Sequence, residues 1–93
     1  MKFVIVGKHD PNGMAKPYDR REDARAFLDK LGVKREFGGY LFGRWDFFDI
    51  VEAPNQAAML KFSVWYAKSG YGRIETMPVL SYEDMFETAE SKE

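Results

Sequence analysis

Two residues of this chain have the chemistry to move a proton at a ligand site, and the first is His9. It is the only histidine, and it follows an apolar, β-branched run at residues 3–6 that predicts a first strand. Because an imidazole titrates near neutrality, a histidine at a strand end can act as a general acid or base. The alternative is a solvated loop histidine beside the turn residue Asp10, since adjacency in sequence does not make a catalytic pair.

Asp49 is the second candidate. It lies within residues 45–51, whose alternation places it on the same face of a predicted strand as Phe47. A carboxylate buried there takes a raised pKa or needs a cationic partner, which Arg35 or Arg73 on a neighbouring strand could supply. We favour an ion pair between strands or subunits over a cavity acid or base, because structural pairs also perturb pKa values.

Aromatic residues make up 16 % of the chain, a heavy load for 93 residues. Such side chains could line a pocket for a flat hydrophobic ligand, although aromatic residues at strand and helix spacing more often form core. The candidate pocket residues are Tyr18, Tyr40, Phe42, Trp45, Phe47 and Trp65.

Composition excludes several classes of function. The absence of cysteine excludes disulfides and thiolate chemistry, and a single histidine cannot complete an ordinary zinc site within one chain, so we predict no metal site. We assign no cofactor, and the sequence leaves open whether a haem or another cofactor is held. The net charge of −1, with acids and bases interleaved, argues against nucleic-acid and anionic-membrane partners. Without a membrane-length apolar run or a signal-peptide pattern, we expect a cytoplasmic protein.

The first helix has the clearest pattern. Asp19 and Glu22 are spaced as a capping box, and an apolar stripe follows at positions 24, 27, 28 and 31 before Gly32. Residues 8–17 precede this helix as a long irregular segment with turn chemistry, and segments of that length often act as lids.

The rest of the chain alternates strands and helices. Residues 33–42 predict a second strand, weakened or bulged at Gly38-Gly39, and 45–51 a third. A second helix runs to about residue 69 with two apolar arcs, so it requires two packing partners. Residues 72–80 predict a fourth strand at a sheet edge, because they contain Pro78; Ser81 then caps a short helix before a frayed tail from residue 88.

This order predicts an α+β, ferredoxin-like βαββαβ domain with a short C-terminal helix, spanning residues 1–93 as a single domain. Right-handed crossovers place the helices on one face of the sheet. The opposite face then has no helix to cover it, and in such domains a second subunit commonly does so. We therefore expect a homodimer or higher oligomer.

Two segments also resemble a known family. Residues 43–46 (Gly-Arg-Trp-Asp) and 50–54 (Ile-Val-Glu-Ala-Pro) are similar to the motif of the GYD-domain proteins, in which a glycine, an aromatic residue and an aspartate recur before a Glu-Ala-Pro strand end. Ala57, Ala58 and Phe62, segment 72–76 and the acidic last helix are also similar. The resemblance covers roughly residues 32–86; the N-terminal third agrees in layout, and Trp45 stands where the family name implies tyrosine.

The resemblance implies the dimeric α/β-barrel assembly of ferredoxin-like domains. The wider group includes cofactor-independent monooxygenases, decarboxylases, isomerases and haem-handling proteins, together with plain ligand-binding or oligomerising domains, so it does not determine an activity. Two hypotheses stand. One is a small, largely apolar or aromatic ligand in an aromatic cavity, with cofactor-independent acid/base or oxygenase chemistry at His9 and Asp49. The other is a non-catalytic oligomerisation or protein-interaction module.

Overall fold

A four-stranded sheet with helices packed on one side forms the domain. The computed structural model describes residues 1–91, apart from the side chain of Asn12. In chain order the elements are strand β1 (Lys2–His9), helices α1 (Pro11–Ala15) and α2 (Pro17–Lys30), strands β2 (Lys34–Tyr40) and β3 (Phe47–Glu52), helix α3 (Gln56–Ser69), strand β4 (Gly72–Pro78) and helix α4 (Tyr82–Glu90). None of the helices in this described part of the chain is both long and apolar enough to cross a membrane.

The strands lie in the order β2-β3-β1-β4, and all three pairings are antiparallel. The apolar N-terminal strand is central: Ile5 lies opposite Asp49 on one side and Thr76 on the other. β4, which ends at Pro78, is an edge strand, as the proline predicts. The predicted α+β, ferredoxin-like arrangement is therefore confirmed.

The core lies between the sheet and α3. Alternate residues of β1 and β3 point toward the helices and are buried, and the inner face of α3 packs on them. The most buried of these side chains are Phe3, Ile5, Val51, Met59, Phe62 and Tyr66. Asn55 caps the start of α3 by accepting a hydrogen bond from the Ala58 N–H, and Gly70, with φ of 80°, ends it.

The opposite side of the sheet is not buried. Its side chains alternate with those of the core along the same strands, and they are partly or largely exposed. We call this surface the open face; its apolar members are Val4, Val6, Phe37, Phe48, Ile50 and Met77. The ring centres of Phe37 and Phe48 are 5.6 Å apart. Val4 lies opposite both Ile50 and Met77, and Val6 lies opposite Phe48, so the six side chains are neighbours on one apolar patch.

The N-terminal segment is more ordered than its sequence predicts. β1 continues to His9, and α1 follows at Pro11, where the Asp10 carboxylate accepts a hydrogen bond from the Gly13 N–H at 3.0 Å. The prediction of a long irregular loop over residues 8–17 is therefore wrong. The prediction of a capping box at Asp19 is also wrong, because α2 begins earlier, at Pro17. Proline suits this first position, since it has no N–H that would need a partner and its φ is already close to the helical value.

Two strand predictions also need correction. The irregularity in β2 falls between Arg35 and Phe37 rather than at Gly38-Gly39. β2 ends at Tyr40 and β3 begins at Phe47, so the connection between them is longer than the two residues, 43–44, that lie between the predicted strands 33–42 and 45–51. Its ends are joined by the Leu41 N–H, which donates to the Asp46 carbonyl at 2.8 Å.

The second apolar arc of α3 remains outside the core. Leu60 on this arc is 66 % exposed, so the C-terminal segment does not cover it. Ser81 caps α4 as predicted, by accepting from the Asp84 N–H at 3.0 Å. α4 continues to Glu90, past Thr88, where the sequence predicts a frayed tail; residues 92–93 of that prediction lie outside the described residues.

Candidate functional site

A cleft of about 870 Å³ lies between α2 and the helix side of β2 and β3. It exists because α2 packs on α3 rather than on β2: Phe27 of α2 stacks on Trp65 of α3 with ring centres 5.0 Å apart. The helix side of β2 is left open toward α2. The residues that carry polar or aromatic groups into the cleft include Arg20, Arg25, Arg35, Tyr40, Phe47 and Asp49.

The middle of the cleft holds an ion pair. Arg35 Nε lies 2.7 Å from Asp49 Oδ1, so Arg35 rather than Arg73 supplies the predicted cationic partner. Gly38 is opposite Asp49 on β2, and a Cβ there would overlap the Asp49 carboxylate. The carboxylate thus rests on bare backbone, which explains the glycine at this position. Burial raises the pKa of Asp49, and Arg35 opposes this increase.

This raised pKa predicts a pH-dependent difference between the wild-type chain and an Asp49→Asn variant. The folded state binds a proton at Asp49 more tightly than the unfolded state does. Relative to the variant, the wild-type free energy of unfolding should therefore fall as pH rises from about 4, the ordinary aspartate pKa, to the raised pKa. Urea denaturation of both proteins through this window measures the difference. A difference that is flat, or that increases with pH, would contradict the placement of Asp49.

One end of the cleft is formed by an aromatic and cationic cluster around Phe47. The Phe47 ring occupies the space beside Gly7 that a Cβ would take, so only glycine leaves room for it there. The Arg20 guanidinium carbon is 4.8 Å from the ring centre. His9 stacks on the same ring at 5.1 Å between centres, and Tyr40 is 6.4 Å from His9.

Three polar atoms in this cluster are buried without a hydrogen-bond partner among the residues that the structure describes: His9 Nδ1, Arg20 Nε and the Tyr66 hydroxyl. Burial, followed by the nearby Arg20 charge, lowers the pKa of His9, so its imidazole is neutral at pH 7. Burial also raises the pKa of Tyr66. The Arg20 guanidinium beside it opposes this increase, although the two groups do not meet in hydrogen-bonding geometry. Unpaired polar atoms of this kind are uncommon in folded proteins and indicate a site for a further group.

Asp46 fixes the position of His9. Its Oδ2 accepts a hydrogen bond from the His9 backbone N–H at 2.8 Å, and its Oδ1 lies 3.4 Å from Lys8 Nζ. The backbone hydrogen bond lowers the pKa of Asp46. Asp46 thus accepts a backbone hydrogen bond, as a turn aspartate is expected to, and it ties the β2–β3 connection to the end of β1.

Four of the predicted site residues converge here. Tyr40, Phe47 and Asp49 line the cleft, and His9 lies at its end, next to Phe47 and Tyr40 but outside the lining. His9 and Asp49, which the sequence offers as two separate polar groups, form no hydrogen bond with each other, and Asp49 is paired with Arg35 instead.

The other four predicted residues lie elsewhere. Tyr18 is exposed at the start of α2, and Phe42 is fully exposed in the β2–β3 connection. Trp45 lies between the guanidinium carbons of Arg44 and Arg73, at 6.0 and 5.9 Å from its ring centre. Trp65 is packed against Phe27 and Phe62. Their assignment as ligand contacts remains a prediction that the shape of the cleft does not favour.

Sequence reasoning missed Arg20, although a signal for it exists. Position 20 lies one helical turn before Ala24, so it extends the apolar stripe of α2 toward the N-terminus. An arginine on an otherwise apolar stripe is directed at the core rather than at water. Within residues 1–91, no group of three or more acidic or histidine side chains is arranged to hold a metal ion.

Comparison with known proteins supports the fold and the family. A solved structure that is similar in fold is 5-chloro-2-hydroxyhydroquinone dehydrochlorinase (TftG) from Burkholderia phenoliruptrix AC1100, in complex with 2,5-dihydroxybenzoquinone. It superimposes with a TM-score of 0.61 at 21 % identity, over 90 % of this chain and 98 % of that one. No curated protein matches significantly. The GYD-domain family model matches residues 3–89, which extends the resemblance into the N-terminal third, and the chain therefore belongs to the GYD-domain family.

Proposed function

We propose that this protein binds a small aromatic molecule in the cleft between α2 and the sheet. The observation that carries the proposal is the cleft itself, which has the volume of a small-molecule site. The exposed Tyr40 ring offers flat apolar surface in the cleft, and the buried Phe47 ring adds apolar lining at its end. The ligand of the similar dehydrochlorinase, 2,5-dihydroxybenzoquinone, has the same chemical character: one ring with polar substituents.

Asp49 is the residue we propose for acid/base chemistry on the bound molecule. It lines the cleft, and its raised pKa brings the carboxyl closer to neutrality, where proton transfer is more efficient. Proton transfer between this carboxyl and a ring hydroxyl or ring carbon requires no metal or cofactor. His9, neutral at the end of the cleft, is the second proposed group, and its access to a ligand depends on the Phe47 and Tyr40 side chains beside it.

The assembly we propose is a homodimer joined through the open face. Val4, Val6, Phe48 and Ile50 on the central strands form an apolar surface that a second copy of the same sheet would remove from water. This proposal follows from packing and agrees with the family. A non-catalytic oligomerisation module would use the same face, but it would not explain the cleft on the other side of the sheet.

Filling the cleft tests the binding proposal. Ala24 lies on the cleft side of α2, so an Ala24→Trp variant places a large ring where the ligand would lie. We expect the wild-type chain to bind 2,5-dihydroxybenzoquinone in titration calorimetry, and the variant to bind it at least about tenfold more weakly. The matched control is Ala57→Trp on the exposed surface of α3, which should bind as the wild type does. Equal binding by the wild type and Ala24→Trp would overturn the proposed location.

A further inference from the structure

We propose that Arg20 binds an ionised oxygen of the ligand, so that the molecule taken by the cleft is an aromatic anion: a ring that carries a carboxylate or an ionised hydroxyl. This inference rests on the proposed function and names the substrate class of the same cleft. The inference depends on the positive charge of Arg20, and on the observation that no described residue forms an ion pair or a hydrogen bond with its side chain.

Arg20 is a buried charge. Its side chain is 7 % exposed, and it is the one charged residue among the fully buried side chains of residues 1–91. Removing a guanidinium from water is costly unless an anion and hydrogen-bond acceptors replace the water. The Arg20 side chain forms no ion pair and no hydrogen bond with the residues that the structure describes, and its Nε is buried without an acceptor.

The nearest candidates for an internal partner are already engaged or have the wrong chemistry. Asp49 faces Arg35 at 2.7 Å, and Asp10 accepts from the Gly13 N–H. Tyr66 approaches Arg20 but stays protonated, because burial raises its pKa. The Phe47 ring, 4.8 Å from the guanidinium carbon, contributes a cation–π contact, which is weaker than the lost hydration. The Arg20 charge opposes the rise in the pKa of Asp49, but that carboxylate is already paired with Arg35. An anionic ligand would therefore supply the close negative charge that Arg20 lacks within the described residues.

The cleft lining as a whole also carries a net positive charge. It contains five cationic side chains and three anionic ones, although the whole chain carries a net charge of −1. An excess of positive charge confined to one concave surface attracts anions into it. The cationic members are Arg20, Arg21, Arg25, Lys34 and Arg35.

Geometry indicates a ring as the body of this anion. The Arg20 guanidinium and the Phe47 ring form one end of the cleft, and Tyr40 stands beside them. A planar ring packed on Phe47 and Tyr40 places a ring oxygen beside Arg20, where a planar fork of donors suits a carboxylate or phenolate.

Probe pairs that share a ring and differ chiefly in charge test this inference. Benzoate is compared with benzamide, and 2,5-dihydroxybenzoquinone, whose hydroxyls ionise as vinylogous acids, with 2,5-dimethoxybenzoquinone. Titration calorimetry with the full chain should show each anion binding at least about tenfold more tightly than its neutral partner, the range of a hydrogen-bonded charge. Arg20→Met should abolish this preference and leave the affinity for the neutral probes within about twofold of wild type.

Two further variants separate recognition from folding. Arg20→Lys keeps the positive charge but lacks the planar pair of N–H donors of a guanidinium, so it should retain part of the preference for anions. Lys68→Met removes an exposed cation from α3, outside the cleft lining, and should change the preference by less than about threefold. Thermal unfolding of each variant shows whether it folds, and Arg20→Met is expected to fold because it leaves no buried charge behind.

The outcomes distinguish the inference from the proposed function. If the neutral and anionic probes bind equally well to the wild type, the inference is wrong and the aromatic site stands. If the anion preference persists in Arg20→Met, Arg20 is not the anion-binding group. If none of the four probes binds, both the inference and the proposed function are wrong.

Discussion

The Phe48→Glu variant is expected to be monomeric at concentrations where the wild-type chain is a dimer. Phe48 lies at the centre of the open face, beside Val6 on β1 and against Phe37 of β2. In the proposed dimer a carboxylate at this position would be buried without a cation, which costs several kcal/mol. The dimer dissociation constant should rise by about a hundredfold or more, as measured by sedimentation velocity across a concentration series.

Leu60→Glu is the matched control for this experiment. Leu60 is also exposed and apolar, but it lies on the outer arc of α3 rather than on the sheet. A dimer through the open face leaves Leu60 at the surface, so this variant should remain dimeric. Monomeric Leu60→Glu together with dimeric Phe48→Glu would assign the interface to α3 instead. A monomeric wild-type chain would contradict the proposed assembly altogether.

A Gly7→Ala variant is expected to lose about 2–3 kcal/mol of stability, the cost of forcing extra volume into a packed core. A Cβ at Gly7 would overlap the Phe47 ring. That ring cannot move freely, because Arg20, His9 and Tyr66 surround it. Displacing it would also distort the end of the cleft, so ligand affinity should fall together with the free energy of unfolding.

A double-mutant cycle identifies the cause of this loss. In a Phe47→Leu background the Gly7→Ala change should cost less than about 1 kcal/mol, because the ring that it displaces is absent. Gly39→Ala is the control, since a Cβ at Gly39 comes no closer than 3.5 Å to Phe48 and its stability should change by less than about 0.5 kcal/mol. Urea denaturation gives all the values. An equal cost of Gly7→Ala in both backgrounds would show that the ring contact is not the reason.

The fold could be predicted because local patterns and the global arrangement agree. The apolar run before Gly7, the stripe of α2 and the inner arc of α3 each require a buried environment, and one topology supplies it to all three, although the second arc of α3 stays exposed. The errors fall at boundaries, where local signals compete. Asp19 has the spacing of a cap, but Pro17 begins the helix earlier; Asp10 signals a turn and instead caps the short α1.

The candidate site could be predicted less well. Asp49 and Phe47 share a face because strand alternation fixes it, and the ion pair with Arg35 follows from strand neighbourhood. The cleft depends on α2 packing against α3 through Phe27 and Trp65 and away from β2, a tertiary preference that no local pattern encodes. The sequence offers Trp65 as a pocket residue, and the structure packs it on Phe27 of α2 and on Phe62 of its own helix.

The most direct test of the central claim is amide chemical-shift mapping of a ¹⁵N-labelled wild-type chain during titration with 2,5-dihydroxybenzoquinone. We predict saturable shifts that cluster at Arg20, Gly38, Gly39 and Asp49, the residues around the cleft. The same titration of Ala24→Trp should leave these amides unchanged. Saturable shifts confined to the open face, or the absence of any saturable shift, would contradict the account of a small aromatic molecule bound between α2 and the sheet.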